Sequence, residues 1–395
     1  MGHRSVAEHA EHIAAMLEPT LAARIETVAL DDAFGRVTAA EVLSPVDLPL
    51  FRNSQMDGFA VLTTDLATLP ATLPIAGEIA ARPGDPLPLL PGSAVRIMTG
   101  GVVPAGADAV VPVEDTTVDG STVTITRARS TGEYVRDQGS DLRRGDRLLP
   151  LGLRLGSRHL AALAAAGLTS VDVVARVRVA VITTGSELIQ PGDIPVLGQV
   201  FDSNATALAA AVRATGAVVA FRAHVLDDHE AMLRALTEAA ATADVIITSG
   251  GISMGDYEVV RETLEPRGAE VGHVAMQPGG PQATATFDGV PVICFPGNPV
   301  STQISFEVFV APLLREASGV AAAVRRRRTM TVGTASIAGK RQFLRGAAVG
   351  GDGVTLVAGP SSHLVAGLAA SDLLIVVPED VIEIAVDDSV ETWEL

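Results

Sequence analysis

Residues 243–257 constrain the fold more than any other stretch of this chain. The run Ala243-Asp244-Val245-Ile246-Ile247-Thr248-Ser249-Gly250-Gly251-Ile252-Ser253-Met254-Gly255-Asp256-Tyr257 reads as a short apolar strand. It breaks into a turn rich in hydroxyls and glycine, and then delivers Asp256 at the start of a helical pattern. Such a turn suits an anion, because backbone N–H groups and the positive end of a following helix favour phosphate-like oxygens. Glycine lets the backbone approach them without a Cβ in the way. The aspartate then calls for a hard cation bridging carboxylate and phosphate. The same residues equally suit a capped strand-to-helix connection with no ligand. Two further units repeat the pattern. Arg178-Val179-Ala180-Val181-Ile182-Thr183-Thr184-Gly185-Ser186-Glu187-Leu188 runs from apolar strand to hydroxyls, glycine and acid. Pro291-Val292-Ile293-Cys294-Phe295-Pro296-Gly297-Asn298-Pro299-Val300-Ser301 ends a third strand in a stiff loop, ahead of a helical pattern from Ser301 to Glu316. Ligands bind beyond the carboxyl ends of strands in open α/β sheets, so the three loops are expected together at one sheet edge.

Around these units the chain alternates. Strand Val177 to Ile182, helix Asn204 to Ala214, strand Ala217 to Ala223, helix His229 to Ala241 and strand Val245 to Ile247 predict a parallel sheet with right-handed crossovers. Pro45 to Ser140 is rich in Pro, Gly, Val and Thr with short alternating runs, which predicts a β-rich domain. Ser157 to Ala166 reads as a helix closed by Gly167. Val6 to Leu17 reads as an amphipathic helix with His9 and His12 on a polar face. Thr329 to Leu395 shows only strand-like segments, such as Leu373 to Val377. Arg325-Arg326-Arg327-Arg328 reads as a solvated linker. At 395 residues the chain exceeds one ordinary core, and two to about four domains are expected.

Charge and cysteine narrow the function classes. A net charge of −17 argues against nucleic acid or an anionic membrane as partner, and makes local arginines or a cation necessary for any anionic substrate. The only cysteine, Cys294, allows no intrachain disulfide, and its apolar neighbours predict a buried, inert thiol. No apolar run is long enough to span a bilayer and no secretory signal opens the chain, so a cytoplasmic protein is expected.

The motifs Met56-Asp57-Gly58-Phe59-Ala60, Arg96-Ile97-Met98-Thr99-Gly100, Thr184-Gly185-Ser186-Glu187-Leu188, Ser249-Gly250-Gly251-Ile252-Ser253 with Gly255-Asp256-Tyr257, and Pro296-Gly297-Asn298-Pro299-Val300-Ser301 occur in the order found in the MoeA family. The chain therefore resembles the molybdopterin molybdenumtransferases and the related E domain of gephyrin and of its plant counterpart. The resemblance implies an α/β multidomain fold: a central α/β domain of mostly parallel sheet similar to MogA and MoaB, a β-rich insertion domain, and a small C-terminal β-domain. It implies domain boundaries at 1–44 plus 141–175 (N-terminal helix and discontinuous linker/dimerisation domain), 45–140 (β-rich domain II), 176–322 (molybdopterin-binding domain III) and 323–395 (domain IV). Family members are elongated, L-shaped homodimers whose cleft joins domain II of one subunit to domain III of the other.

The implied reaction inserts molybdenum from molybdate into adenylylated molybdopterin, with help from Mg²⁺ and release of AMP. The resemblance places Asp57, Thr99, Glu187, Asp227 and Asp256 among the catalytic residues, with Glu187, Asp256 and Asp227 as metal ligands. Asp227 and Asp228 also suit helix capping, and Glu187 suits a first-turn dipole acid. Ser249, Gly250, Gly251, Ser253, Pro296, Gly297, Asn298, Pro299, Asp141 and Arg345 are the expected substrate-binding residues. Of these, Ser249 and Ser253 are read as oxyanion donors, and Arg345, in Arg341-Gln342-Phe343-Leu344-Arg345-Gly346, as a molybdate or phosphate ligand. Ser361-Ser362 followed by Leu364 is similar to the family's serine-containing turn. The sequence departs from the family at Asp372, where asparagine is usual, and at Gln277 and Gly280, where many relatives carry lysine. Lysine at Gln277 is accordingly expected to strengthen substrate capture. Partners implied are a second copy of the chain, a molybdopterin adenylyltransferase and recipient molybdoenzymes. Other readings are an adenylyltransferase-like or nucleotide-hydrolysing enzyme sharing domain III, or a gephyrin-like peptide-binding scaffold.

Overall fold

The computed structural model describes residues 3–22, 24–252 and 258–395. The chain divides into two compact units, Thr27–Val173 and a second made of Met1–Glu26 with Val174–Leu395.

The second unit is built on a seven-stranded sheet in the order His3–Arg4, Glu270–Val274, Pro281–Phe287, Val290–Phe295, Val245–Ser249, Arg178–Thr184, Val218–Val225. Its last four strands are parallel, with Ile247 in register with Val181 on one side and Ile293 on the other. Antiparallel pairing of Pro281–Phe287 with both of its neighbours makes the sheet mixed. The central strands Arg178–Thr184, Val245–Ser249 and Val290–Phe295 are buried almost throughout because both faces are covered. Val179 and Val181 point to one core, and Ala180 and Ile182 to the other. Helix Ser203–Ala214 packs on the first face and His229–Thr242 on the second. Asp202 and Asp228 cap these helices, accepting from Ala205 N (3.0 Å) and Ala231 N (2.7 Å). At the opposite end of the sheet Asp244 precedes strand Val245–Ser249 and accepts from Arg178 Nη2 (2.7 Å) and Arg24 Nη2 (2.5 Å). Burial pushes the Asp244 carboxyl up, but the bonds from Arg178 and Arg24 outweigh it and hold the group below the usual carboxylate range.

Helix Val6–Leu21 buries Val6, Ile13 and Leu17 in the first core of the α/β unit. Two expectations need correction in this unit. His9 of that helix is not on a polar face: it is 3% exposed and edge-on to Phe309 at 4.8 Å, and burial pushes its pKa down to about 4. The helix expected from Ser301 to Glu316 is present as Pro299–Ser305 and Ala311–Ala317, joined through a wider π turn at Phe306–Val310 that buries Phe306 and Phe309. Cys294 is buried, with its pKa raised to about 12 by burial, in line with an inert thiol.

The C-terminal strands form a six-stranded sheet in the order Met276–Gln277, Arg341–Val349, Gly353–Leu356, Arg325–Met330, Ser389–Glu394, Leu373–Val377. Leu373–Val377 also pairs with Arg341–Val349, closing the last five into a small barrel around Met330, Leu344, Val354, Ile375 and Val390. The run Arg325–Arg328 is thus a barrel strand, not a linker. It pairs with Ser389–Glu394, and its charges are met by Glu394 on Arg326 (3.4 Å) and by the Trp393 ring, 4.2 Å beneath the Arg325 guanidinium. Phe343 packs on the same ring at 5.5 Å. A short helix, Val365–Ala369, interrupts the expected all-strand region.

The first unit, Thr27–Val173, carries the β-rich region as a six-stranded mixed sheet: Ala109–Pro112, Gly58–Val61, Ala94–Ile97, Ala71–Ile79, Thr122–Ile125, Thr116–Asp119. Strand Gly58–Val61 is buried on both faces, Phe59 and Val61 in one core and Ala60 in another. A third core joins Ala33 to Leu149, Leu155, Val173 and Leu163 of helix Ser157–Ala165.

Candidate active site

Strands Arg178–Thr184, Val218–Val225, Val245–Ser249 and Val290–Phe295 run parallel and end at one edge of the sheet. Their exit loops are knitted together by a buried polar network. Asn204 Nδ2 donates to Ser249 Oγ (2.9 Å) and to Gly297 O (2.7 Å), and Thr302 Oγ1 donates to Pro296 O (2.6 Å) while lying 3.0 Å from Ser249 Oγ. Ser249 is 1% exposed. Its hydroxyl is spent on this network, which shapes the site. The glycine pair is also required by close packing. A Cβ on Gly250 would lie 2.7 Å from Thr184 O, and one on Gly251 2.9 Å from Val260 Cγ2, with both residues at positive φ. The turn needs glycine because a strand end and a helix press on it, whether or not a ligand is near. Ser253 and Asp256 lie outside the described residues.

Pro296 is buried, Gly297 and Asn298 are exposed, and Pro299 opens the next helix. This loop reaches the C-terminal barrel, where Val300 N donates to Ser362 O (3.2 Å) and Arg345 Nη1 donates to Ser361 O (3.2 Å). Arg345 is thereby brought to the third loop. It is 2% exposed, and its Nε and Nη2 have no hydrogen-bond partner. Burial alone lowers its pKa, with no carboxylate offsetting the effect. A cation buried this way costs free energy until an anion meets it.

Glu187 and Asp227 stand on adjacent strand exits and both are exposed. Asp227 Oδ2 accepts from Ser186 N (3.0 Å), and Asp227 N donates to Ser186 Oγ (3.3 Å). Asp228, not Asp227, is the helix cap. The Glu187 side chain folds back over Gly185, whose hypothetical Cβ would lie 2.5 Å from Glu187 Oε2. Among the described residues no group of three or more His, Cys, Asp or Glu is gathered to cage a metal. Two exposed carboxylates nevertheless fit an ion that keeps its own water and draws further oxygens from a phosphate, as Mg²⁺ does.

In the other unit Asp57 and Thr99 are brought together: Asp57 Oδ1 accepts from Thr99 N (2.7 Å) and Thr99 Oγ1 (2.8 Å). These bonds hold the exposed Asp57 carboxyl below the usual range, the backbone N–H contributing most. Asp141 is exposed on a separate turn, its N–H bonded to Leu48 O (3.0 Å).

The positions lacking lysine are occupied differently from expectation. Gln277 Oε1 accepts from Gln342 Nε2 at 2.5 Å, inside a network with Ser336. A Cβ on Gly280 would meet His273 Nε2 at 2.5 Å. Lysine at 277 would break a hydrogen-bond pair, and lysine at 280 would have to displace the imidazole. Sequence reasoning missed Asn204 and Thr302. Asn204 sat in a correctly expected helix, but nothing local announces a bond to a carbonyl 93 residues away.

Profiles of known families match along the chain: the MoeA N-terminal region (domain I and II) at residues 4–167, a probable molybdopterin binding domain at 180–316, and the MoeA C-terminal region (domain IV) at 327–395. Molybdopterin molybdenumtransferase 2 of Mycobacterium tuberculosis is 41% identical over 406 aligned residues, covering 99% of this chain and 100% of that protein. The molybdopterin molybdenumtransferase of a Nostoc species is 38% identical over 305, covering 75% of this chain and 70% of its own. A crystal structure of the molybdopterin biosynthesis MoeA protein from Pyrococcus horikoshii superposes with a TM-score of 0.82 at 30% identity, covering 100% of this chain and 99% of that one.

Proposed function

From a chain that belongs to the MoeA family of molybdopterin molybdenumtransferases, we propose a molybdate-dependent insertion of molybdenum into adenylylated molybdopterin with release of AMP. The transferase activity, placing molybdenum on molybdopterin in cofactor biosynthesis, follows from the family. Matches to both flanking regions as well as the central domain favour it over an adenylyltransferase. The finer reading is supported chiefly by Arg345, a buried guanidinium with two unpartnered nitrogens beside the exit loop of a central strand. A tetrahedral oxyanion such as molybdate supplies the acceptors it lacks.

The chemistry divides between two places. At the exits carrying Glu187 and Asp227, a divalent cation would neutralise the pyrophosphate that two carboxylates otherwise repel. Attack of a water oxygen on the adenylyl phosphorus forms the P–O bond of AMP, and the bridging P–O bond breaks with its electron pair to the molybdopterin phosphate. Replacement of two molybdate oxygens by the dithiolene sulfurs releases those oxygens as two waters, with two protons supplied by the thiols and two by solvent. Ser186 N–H holds one oxygen of Asp227, leaving Oδ1 for the cation. We place the reaction in the cytoplasm of a homodimer, with a molybdopterin adenylyltransferase as supplier and molybdoenzymes as recipients.

The test is to follow AMP from purified protein with adenylylated molybdopterin, molybdate and Mg²⁺. Arg345→Met should raise the molybdate needed for half-maximal activity by at least about tenfold, the scale of one lost charge-assisted contact. It should leave thermal stability equal or higher, because an uncompensated buried charge has been removed. Undiminished activity in excess EDTA, or an unchanged molybdate dependence in Arg345→Met, would sink this reading.

A further inference from the structure

The loop that carries Glu187 is pinned from the side by a residue with no role in the chemistry above. His224 stands in register with Thr183 on the neighbouring strand, and its Nε2 lies 2.9 Å from Gly185 O. A carbonyl only accepts, so Nε2 carries the hydrogen. The same oxygen accepts from Leu188 N at 3.2 Å, and Glu187 O accepts from Val200 N at 2.9 Å. One residue on, Ser186 is bonded to Asp227 through both its N–H and its hydroxyl. Strand Val218–Val225 and its exit therefore fix Gly185 and Ser186 in turn. The face of Gly185 without a side chain is where the Glu187 carboxylate rests.

We propose that His224 is the positioning residue of the Glu187 carboxylate. Its N–H locks the Gly185 peptide in the orientation that lets the carboxylate fold back to the strand end, and thereby sets the affinity of the site for a divalent cation. The inference rests on Glu187 being a cation-binding carboxylate. Partners that orient a ligand are worth about 10- to 100-fold in metal affinity. Because His224 acts through the backbone, the lower end of that range is expected.

The experiment is a Mn²⁺ titration of the full-length protein by electron paramagnetic resonance, with AMP present to supply phosphate oxygens. His224→Leu, which keeps bulk without a donor, should weaken Mn²⁺ binding about tenfold, whereas His224→Gln, which can return an N–H to the carbonyl, should recover most of it. Glu187→Ala should weaken the site more than His224→Leu does, leaving only residual binding at Asp227, and adding His224→Leu to Glu187→Ala should change nothing more. Equal binding by the Leu and Gln variants, or further weakening by His224→Leu in the Glu187→Ala background, overturns the positioning role. Wild-type binding by Glu187→Ala, or no saturable binding by the unaltered protein, overturns the cation reading of Glu187 itself and the inference with it. Circular dichroism separates both from loss of fold.

Discussion

Asp57 is kept ionised by local means alone, since its two bonds come from Thr99. Thr99→Val removes the hydroxyl bond and keeps the N–H. The Asp57 pKa should then rise part of the way to its ordinary value, read by NMR titration of the carboxyl, with no change in melting temperature because the pair is exposed. An unmoved Asp57 titration would show that the hydroxyl does not hold it. Gly185 invites a second change. It sits at φ +144°, with the Glu187 carboxylate where a Cβ would go. Gly185→Ala should cost roughly 1–3 kcal/mol of strain and displace the carboxylate, so AMP release should fall far more than stability does. Equal activity in both proteins would mean that the folded-back carboxylate is not the working one.

At the scale of elements, the α/β alternation was legible because the central strands are apolar runs and helices Ser203–Ala214 and His229–Thr242 each have a cap in sequence, Asp202 and Asp228. What stayed hidden depends on partners far along the chain. Arg325–Arg328 looks like a solvated run until Trp393 and Glu394 come beside it, and nothing in the turn around Ser249 announces the bonds of its hydroxyl to Asn204 and Thr302. Asp244 belongs to the same class, because its role depends on Arg24 and Arg178, both distant or on another strand. Its folded pKa is depressed, so its contribution is present above the ordinary carboxylate range and is lost as pH falls through the folded value. Asp244→Asn should therefore destabilise the protein at neutral pH by about 1–3 kcal/mol, as expected for losing charge-assisted bonds whose arginines remain half exposed. The gap between variant and parent should close in acid. Denaturant unfolding at two pH values checks both points, and a gap that widens on acidification would reverse the sign of the linkage.

For the whole molecule, the family resemblance predicts that Asp57 and Thr99 of one copy serve Glu187 and Asp227 of another. Mixing inactive Asp57→Ala with inactive Glu187→Ala protein should then restore part of the AMP release after subunit exchange, and no recovery despite verified exchange would count against a shared site. The two units of the chain also differ in a way that an optical experiment can exploit. The protein has one tryptophan, and it sits in the C-terminal barrel between Arg325 and Phe343. Red-edge-excited emission is consequently blind to Thr27–Val173 and reports only the other unit, whereas far-ultraviolet dichroism registers both. Melting curves from the two signals should coincide only if the units unfold together, which makes the native chain its own labelled probe of how its halves are coupled.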